Sequence, residues 1–309
     1  MKSLTYFKSL SDITRIRLLN ILLHHELSVN EIVGLMEMGQ SRISRHLKIL
    51  TDAGLLACRR DGVWAFYSTV TEGEGQGFID AVGYLFDDDP VFAADLSQAS
   101  RIVEERRLTT RRFFNTIAPE WDLLKLDILG DFDLNAAICE QVGRCGVVAD
   151  LGCGTGDLLV RLKAGAARAI GVDSSPRMLE EARKRFSEAA GAVELRLGEL
   201  EHLPLSDGEA DCAVLSMALH HIDEPAGALR EVARTLGAGG SLVIADFDKH
   251  GNETMRKTYG DRWLGFSRAE MERFLSGAGF TLEDVSAFPL RQSLTLCIYR
   301  AVRRGEGDS

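Results

Sequence analysis

Apolar side chains recur at helical spacing in three segments of the first fifty residues. The first segment carries Ile13, Ile16, Leu19, Leu22 and Leu23 on one face, with Ser11 or Asp12 available as its N-cap. The second begins at Ser28, where Glu31 three residues later completes a capping-box pattern. The third spans residues 41–50 and turns Ile43, Leu47 and Leu50 to one side. The pattern predicts three consecutive short helices.

A strand pattern follows the third helix. Gly54 is expected to end that helix, and residues 55–60 and 63–67 then read as two strands joined at Asp61-Gly62. Helices followed by a basic hairpin are typical of a winged helix-turn-helix, which inserts its last helix into the major groove of DNA. A winged helix that contacts only protein remains the alternative.

The predicted recognition helix and wing supply the candidate DNA contacts. These contacts are Ser41, Arg42, Ser44, Arg45, His46 and Lys48 in the helix and Arg59 and Arg60 in the wing. Charge agrees with this assignment, because residues 1–70 carry nine Lys or Arg and six Asp or Glu, although the whole chain has a net charge of -10. A basic N-terminal part therefore precedes an acidic remainder.

Residues 10–19 (LSDITRIRLL) and 41–50 (SRISRHLKIL) resemble the ArsR family of bacterial repressors. The resemblance covers about residues 1–75 and implies a homodimer on a two-fold symmetric double-stranded operator. Metal-sensing members carry cysteines where this chain has Ser28 and Asn30, so no metal sensing is expected there. His24 and His25 alone lack partner ligands at workable spacing. Residues 76–118 are interpreted as a helical connector that takes part in dimer contacts.

Alternating strand and helix patterns fill the rest of the chain. Predicted strands lie at residues 147–151, 169–173, 193–197, 213–216 and 241–245, with two late strands at 281–285 and 294–298. Helices are predicted at 157–162, 176–189 and 224–236. This alternation predicts an α/β, doubly wound Rossmann-like domain that follows the winged helix, over residues 119–309, with ligand bound at the carboxyl ends of the strands.

The first of these strands ends in a glycine turn, Gly152-Cys153-Gly154-Thr155-Gly156, that opens a helix. Asp157 stands where a dinucleotide fingerprint needs its third glycine, which argues against NAD. The next strand ends at Asp173, about twenty residues on, where a carboxylate can accept both ribose hydroxyls. The pattern predicts a nucleoside ligand.

These segments, with the Leu219-His220-His221-Ile222 motif and the glycine-rich turn at 236–242, resemble class I S-adenosylmethionine-dependent methyltransferases. Residues 113–122 are similar to the lid segment of quinone methylases. The resemblance implies S-adenosylmethionine or S-adenosylhomocysteine as ligand, with Glu199 in place of the usual aspartate beside adenine. The cofactor-binding candidates are Asp150, Gly152, Gly154, Gly156, Asp173, Ser174, Met178, Glu199 and Leu200.

Catalytic residues are not assigned by the sequence. His220 or His221 could act as a base or could simply be hydrogen-bonded, and Asp246 is equally open. The six cysteines form no C-x-x-C pair, so neither a metal site nor a thiolate cluster for arsenic methylation is predicted. The absence of a signal-peptide pattern or an apolar span predicts a cytoplasmic protein without membrane contact.

An ArsR-type N-terminal domain (the head, about residues 1–75) joined to a methyltransferase-like domain (the body, residues 119–309) resembles S-adenosylhomocysteine-responsive regulators of the methionine cycle. That resemblance implies a transcriptional regulator, in this case a repressor, whose body binds the adenosyl ligand and modulates DNA binding. The alternative is an active methyltransferase for a small molecule with an autoregulatory DNA-binding head.

Overall fold

The computed structural model describes residues 2–86, 89–186 and 193–305. Its internal packing divides the chain into two units, Met1–Leu108 and Thr109–Ser309. The boundary falls within the helix Pro90–Ile117, which lies inside the connector predicted at 76–118. No helix among the described residues is both long enough and apolar enough to span a membrane.

Among its described residues, the first unit contains five helices, the larger part of a sixth and a small sheet. Its elements are α1 (Lys2–Ser9), α2 (Ile13–His24), β1 (Leu27–Ser28), α3 (Val29–Met36), α4 (Gln40–Asp52), β2 (Leu56–Asp61), β3 (Trp64–Thr69), α5 (Gly73–Val82), a 3-10 turn (Gly83–Phe86) and α6 (Pro90–Ile117). The strands are antiparallel in the order β1-β3-β2. The winged helix-turn-helix prediction is confirmed.

Local capping explains where these helices begin and end. Asp12, rather than Ser11, caps α2 by accepting the Thr14 N–H at 2.9 Å. Ser28 and Glu31 form the expected capping box at the start of α3. Gly54 takes a left-handed φ of 78° just after α4, a conformation that glycine adopts without steric cost.

The second unit alternates helices and strands. Its elements are α7 (Trp121–Leu129), α8 (Leu134–Val142), β4 (Cys145–Leu151), α9 (Asp157–Leu162), β5 (Ala166–Asp173), α10 (Pro176–Phe186), β6 (Val193–Leu197), β7 (Ala210–Ser216), α11 (Pro225–Thr235), β8 (Leu236–Phe247), α12 (Thr254–Tyr259), α13 (Arg268–Gly277), β9 (Phe280–Pro289) and β10 (Thr295–Arg303). The helix predicted at 176–189 is described as far as Phe186, and residues 187–189 lie outside the described part.

The seven strands of this unit form one sheet in the order β6-β5-β4-β7-β8-β10-β9. The first five are parallel, as predicted, whereas β10 is antiparallel to both of its neighbours. The short connection between β9 and β10 explains this difference, since a parallel pair needs a long crossover. The chain reverses direction across the sheet between β4 and β7, which creates the crevice where such folds bind ligands.

Candidate functional site

The glycine turn after β4 brings bare backbone to the carboxyl edge of the sheet. Gly152, Gly154 and Gly156 all have positive φ, between 52° and 79°. A Cβ on Gly152 would lie 2.8 Å from the Cβ of Ala218, so a larger residue does not fit without a shift of the chain. The Gly152 N–H donates to the Val172 carbonyl at 2.8 Å, which ties the turn to β5.

Asp150 lies at the base of this turn and has an unusual environment. Its side chain is buried, and neither carboxylate oxygen has a hydrogen-bond partner among the described residues. Burial raises the pKa of Asp150 to about 7 against the opposing effect of Lys125. Buried polar atoms are almost always hydrogen-bonded, so this carboxylate is available to accept a hydrogen bond from a molecule bound beside it.

Asp173 ends β5 on the other side of the turn. Its Oδ2 accepts the Gly154 N–H at 2.9 Å, and its Oδ1 accepts the Ser175 N–H at 2.8 Å. Desolvation raises the pKa of Asp173 to about 6, although these backbone hydrogen bonds favour the ionised form. Asp173 therefore organises the turn by accepting hydrogen bonds from Gly154 within it and from Ser175 in the loop after β5.

The end of α6 and the start of α7 pack over the glycine turn and the loop after β5. Ser175 Oγ donates to Asn115 Oδ1 at 2.7 Å, and Thr155 Oγ1 donates to Asp122 Oδ1 at 2.7 Å. The Trp121 indole lies 3.5 Å from the position that a Cβ on Gly154 would occupy. These contacts agree with the lid expected at residues 113–122.

The remaining predicted ligand contacts lie around the same edge. Met178 and Leu200 are buried, whereas Ser174 and Glu199 are partly exposed. Glu199 forms an ion pair with Arg111, a neighbour that the sequence did not suggest. An adenine amino group would therefore have to share the Glu199 carboxylate with a guanidinium.

Two adjacent histidines follow β7 and are both buried. His220 Nδ1 donates to Asp246 Oδ1 at 2.7 Å, and its Nε2 lies 3.6 Å from Asp261 Oδ1. Burial disfavours the charged imidazole, but the two carboxylates outweigh it and raise the pKa of His220 to about 9. Burial and the neighbouring His220 lower the pKa of His221 well below its usual range.

The first unit presents most of the predicted DNA contacts on one face of α4. Ser41, Arg42, Ser44, Arg45 and Lys48 are exposed there, and Arg60 is exposed on β2. Arg42 and Arg45 form no ion pair with any described residue. Lys48 pairs with Asp52 one turn on, at 2.9 Å on the exposed surface, where such a pair contributes little stability.

His46 and Arg59 differ from the other candidates. His46 is buried, because its position on α4 faces Asp12 rather than solvent, with 4.0 Å between Nδ1 and Oδ1. Arg59 donates twice to Glu26, at 3.1 and 2.7 Å, and its guanidinium lies 4.5 Å from the centre of the Phe66 ring. The structure therefore does not bring these two side chains to the exposed face.

Sequence reasoning placed Asn115 within the expected lid segment without assigning it a contact, and it did not identify Arg111 or Asp261 as site residues. Asp261 lies between α12 and α13, about forty residues after the two histidines, and no local motif marks it. Asn115 and Arg111 lie on a helix whose dense charge pattern resembles an ordinary solvated surface. Only the fold brings these side chains to the sheet edge.

Two family models match the chain. Residues 149–244 match the methyltransferase domain model, and residues 12–57 match the model for bacterial regulatory proteins of the arsR family. The chain is similar to a 37.1 kDa transposon protein of Streptomyces fradiae, with 47% identity over 102 residues, but that match covers 32% of this chain and only 29% of that relative.

Other relatives match a larger part of this chain, and solved structures are similar to it as well. The ubiquinone/menaquinone biosynthesis C-methyltransferase UbiE of Syntrophotalea carbinolica is 30% identical over 59% of this chain and 80% of its own length. A solved Thermotoga maritima structure, described as a SAM-dependent methyltransferase and possible histamine N-methyltransferase, is 26% identical with a TM-score of 0.51. That alignment covers 62% of this chain and 99% of the Thermotoga protein. The chain therefore belongs to the class I methyltransferase family that includes UbiE, and it carries an ArsR-family helix-turn-helix domain at its N-terminus.

Proposed function

We propose that this chain is a DNA-binding transcriptional repressor whose methyltransferase domain binds S-adenosylhomocysteine or S-adenosylmethionine and thereby changes the affinity of the head for its operator. The observation that carries the proposal is that one 28-residue helix, α6, contributes side chains to both units. In the first unit, Arg106 Nε donates to Glu31 Oε1 at 2.6 Å. Glu31 is also the capping-box residue of α3, the helix that precedes the recognition helix.

In the second unit, the same helix contacts the proposed ligand cradle, which we define as Asp150, the glycine turn 152–156, Asp173 and Glu199. Asn115 accepts a hydrogen bond from Ser175, and Arg111 pairs with Glu199. Ser175 is also the backbone partner of Asp173. A ligand that forms hydrogen bonds with Asp173 and Glu199 would change the contacts that these residues and Ser175 make with α6. This change can favour one DNA-binding state of the first unit over another. A differential affinity of about 1–3 kcal/mol between the two states would change operator binding roughly 5–150-fold.

We assign the parts of an adenosyl ligand to the cradle residue by residue. The unpartnered carboxylate of Asp150 and the bare backbone of Gly152 and Gly154 would hold the charged amino-acid end. Asp173 would accept the ribose hydroxyls, while Ser174, Met178, Glu199 and Leu200 would flank the nucleoside and Gly156 would shape the turn. When bound, S-adenosylmethionine supplies an electrophilic methyl group, and S-adenosylhomocysteine supplies none.

The proposed DNA surface comprises Ser41, Arg42, Ser44, Arg45, Lys48 and Arg60, with His46 and Arg59 packing behind it. An operator with two-fold symmetry requires a dimer. Exposed apolar side chains in the first unit support this requirement: Leu4 and Phe7 on α1, and Tyr84 and Leu85 after α5. The ring contact between Phe7 and Phe78, at 5.4 Å, joins α1 to α5.

Fluorescence anisotropy tests the function directly. The full-length protein is titrated onto labelled DNA from upstream of its own gene, at fixed salt, with S-adenosylhomocysteine and S-adenosylmethionine in separate series. A shift of the operator dissociation constant by one ligand, within the 5–150-fold range, supports the regulator and names its signal. Tight DNA binding that neither ligand changes contradicts it.

The affinity for S-adenosylhomocysteine should rise with pH. The pKa values of about 7 for Asp150 and about 6 for Asp173 mean that both carboxyls are largely protonated in acid and ionised above neutrality. The ligand's ammonium and hydroxyl groups need ionised carboxylates, so affinity should increase on the order of 100-fold from about pH 5.5 to about pH 8 and then level off.

Calorimetry at several pH values measures this rise in ligand affinity. Asp150→Asn should remove the part of the rise that occurs around pH 7, where Asp150 ionises. A flat profile in the unsubstituted protein would contradict the assignment of both carboxylates. The same raised pKa values make the unliganded fold lose unfolding free energy as pH increases between about 4 and 7, because the unfolded carboxyls ionise first. Bound ligand should oppose that loss.

Arg60→Ala should weaken DNA binding to all sequences alike. Arg60 is exposed on the wing strand, where a guanidinium meets phosphates rather than base edges. The slope of log affinity against log salt should become shallower by about one, which anisotropy on operator and scrambled DNA measures. Arg59→Ala should instead lower the thermal stability, since its guanidinium is engaged by Glu26. A sequence-selective loss in Arg60→Ala would contradict the phosphate role.

Active methyl transfer to a small molecule is the second candidate function. The similarity to UbiE favours it, and so does a buried histidine, His221, whose ring contacts Phe114 of the lid segment at 4.7 Å. Retention of the whole cradle fits both functions. Radiolabelled methyl transfer to acceptor mixtures, run beside the anisotropy titration, distinguishes them.

A further inference from the structure

Three potential metal ligands converge beyond the end of β7. His220, His221 and Asp261 each offer one ligand atom, and these atoms lie within 4.8 Å of one another. The exposed fractions of the three residues are 1%, 9% and 5%. His220 Nε2 and Asp261 Oδ1 are 3.6 Å apart. Four tetrahedral ligands at about 2.0–2.1 Å from a metal ion lie about 3.3 Å from each other, so this pair is already close to a ligating separation.

Both imidazoles are oriented by an acceptor at Nδ1. His220 Nδ1 lies 2.7 Å from Asp246 Oδ1, and His221 Nδ1 lies 3.2 Å from the Gly260 carbonyl. These acceptors hold a proton on each Nδ1, so each Nε2 is the atom available to a metal ion, which on binding would displace to solvent any proton held there. Metal-binding histidines are held in this way, by a carboxylate or a backbone carbonyl on the far ring nitrogen.

The Nε2 atom of His221 is a second, independent indication. It is fully buried and has no hydrogen-bond partner among the described residues. A buried acceptor without a donor is costly unless something occupies the space beside it. The ring of the adjacent His220 lies beside that of His221, with 4.0 Å between the two ring centroids.

We propose that His220, His221 and Asp261 bind a divalent transition-metal ion through the two Nε2 atoms and the carboxylate. Two imidazoles and one carboxylate suit Zn²⁺, Fe²⁺ or Co²⁺ and leave at least one coordination position open. All three ligand atoms lie within 4.8 Å of one another, and closing a separation of that size to about 3.3 Å requires a combined side-chain movement of about 1.5 Å. The open position accepts water or an oxygen atom of a second small molecule.

The proposed site lies at the carboxyl edge of the sheet, beside the ligand cradle. His220 and His221 follow β7, and Asp246 is near the end of β8. Phe114 of the lid segment contacts His221. A metal ion here would hold an oxygen-donor molecule next to the adenosyl ligand. The inference does not depend on the proposed function, because metal binding is measured without DNA or adenosyl ligand.

The competing interpretation is a buried ion cluster without metal. In that case a protonated His220 is simply held between Asp246 and Asp261, and His221 packs against Phe114. This arrangement would be complete as it stands and would take up no metal. Direct binding therefore separates the two interpretations.

The test uses the full-length protein without a polyhistidine tag, stripped of metal with a chelator and titrated with Co²⁺ and then Zn²⁺. One ion per chain and visible cobalt bands of nitrogen and oxygen ligation are expected. His221→Ala and Asp261→Asn should abolish this site, and Asp246→Asn should weaken it about 10–100-fold by freeing the His220 ring. His202→Ala, at an exposed histidine of the same unit, is the matched control and should bind normally.

Thermal unfolding supplies a second readout. Zn²⁺ should raise the melting temperature of the unsubstituted protein and of His202→Ala but leave that of His221→Ala unchanged. Absence of stoichiometric binding to the unsubstituted protein overturns the proposal. So does an ultraviolet thiolate-to-cobalt band, which would assign the ion to cysteines such as the buried Cys212 and its neighbour Cys145. Unchanged cobalt bands in folded His221→Ala would likewise overturn it.

Discussion

Asp173→Ala is expected to reduce the affinity for S-adenosylhomocysteine by at least about 100-fold. The substitution would remove the carboxylate and with it two hydrogen bonds to the ribose of the ligand. Each hydrogen bond to a charged group contributes about 1.5–3 kcal/mol. The substitution would also release the N–H groups of Gly154 and Ser175, which Asp173 holds at 2.9 and 2.8 Å. The loss therefore combines a missing contact with a loosened turn. Isothermal titration calorimetry measures it.

Two further variants separate these contributions. Asp173→Asn keeps one acceptor oxygen and is expected to show an intermediate loss of affinity. Asp284→Ala removes an exposed carboxylate from β9 and should bind ligand normally. Basal operator binding by Asp173→Ala should persist, because the first unit folds around its own core. Unchanged ligand affinity in a folded Asp173→Ala protein would remove this residue from the site.

Arg45→Ala is expected to abolish most of the sequence preference of DNA binding. Arg45 is exposed on α4, the helix expected to enter the major groove, where arginine donates two hydrogen bonds to guanine. Each such contact discriminates against the wrong base by about 1–3 kcal/mol, so operator affinity should fall roughly 5–150-fold. Affinity for unrelated DNA should fall only slightly, by the loss of one positive charge.

Anisotropy on operator and scrambled duplexes at matched salt measures the two affinities. Arg101→Ala is the control, since Arg101 is an exposed arginine of the same unit on α6. It should leave the ratio of the two affinities unchanged. An equal loss of affinity for both DNA sequences in Arg45→Ala would reassign this side chain to the phosphate backbone.

The features of the DNA-binding domain and of the ligand site that could be predicted from sequence depend on patterns within a few residues. The capping box of Ser28 and Glu31 spans four residues and has a distinctive spacing, so the start of α3 could be predicted. The glycine turn after β4 was visible for the same reason, because positive φ at Gly152 and Gly154 requires glycine. Whether these residues bind the expected ligand remains a prediction.

Side-chain partnerships across long separations could not be predicted in this way. Helical periodicity identifies an apolar face but leaves the border residues undecided, so His46 was assigned outward although its ring is buried beside Asp12. The guanidinium of Arg59 was expected to face DNA, but Glu26, 33 residues earlier, accepts both of its hydrogen bonds. No local pattern encodes such a pair.

The sequence by itself determined the order of most helices and strands, the caps and turns that bound several of them, and the class of both folds, whereas β1, α7, α8, α12 and α13 were not predicted. Those features follow from backbone preferences and from periodic burial within a few residues. Only the tertiary structure decided that Asp261 joins His220 and His221, that Asn115 meets Ser175 and that Asp150 is left without a partner. These arrangements arise when parallel strands align their carboxyl ends and distant loops converge there, so they depend on packing between remote segments rather than on local spacing.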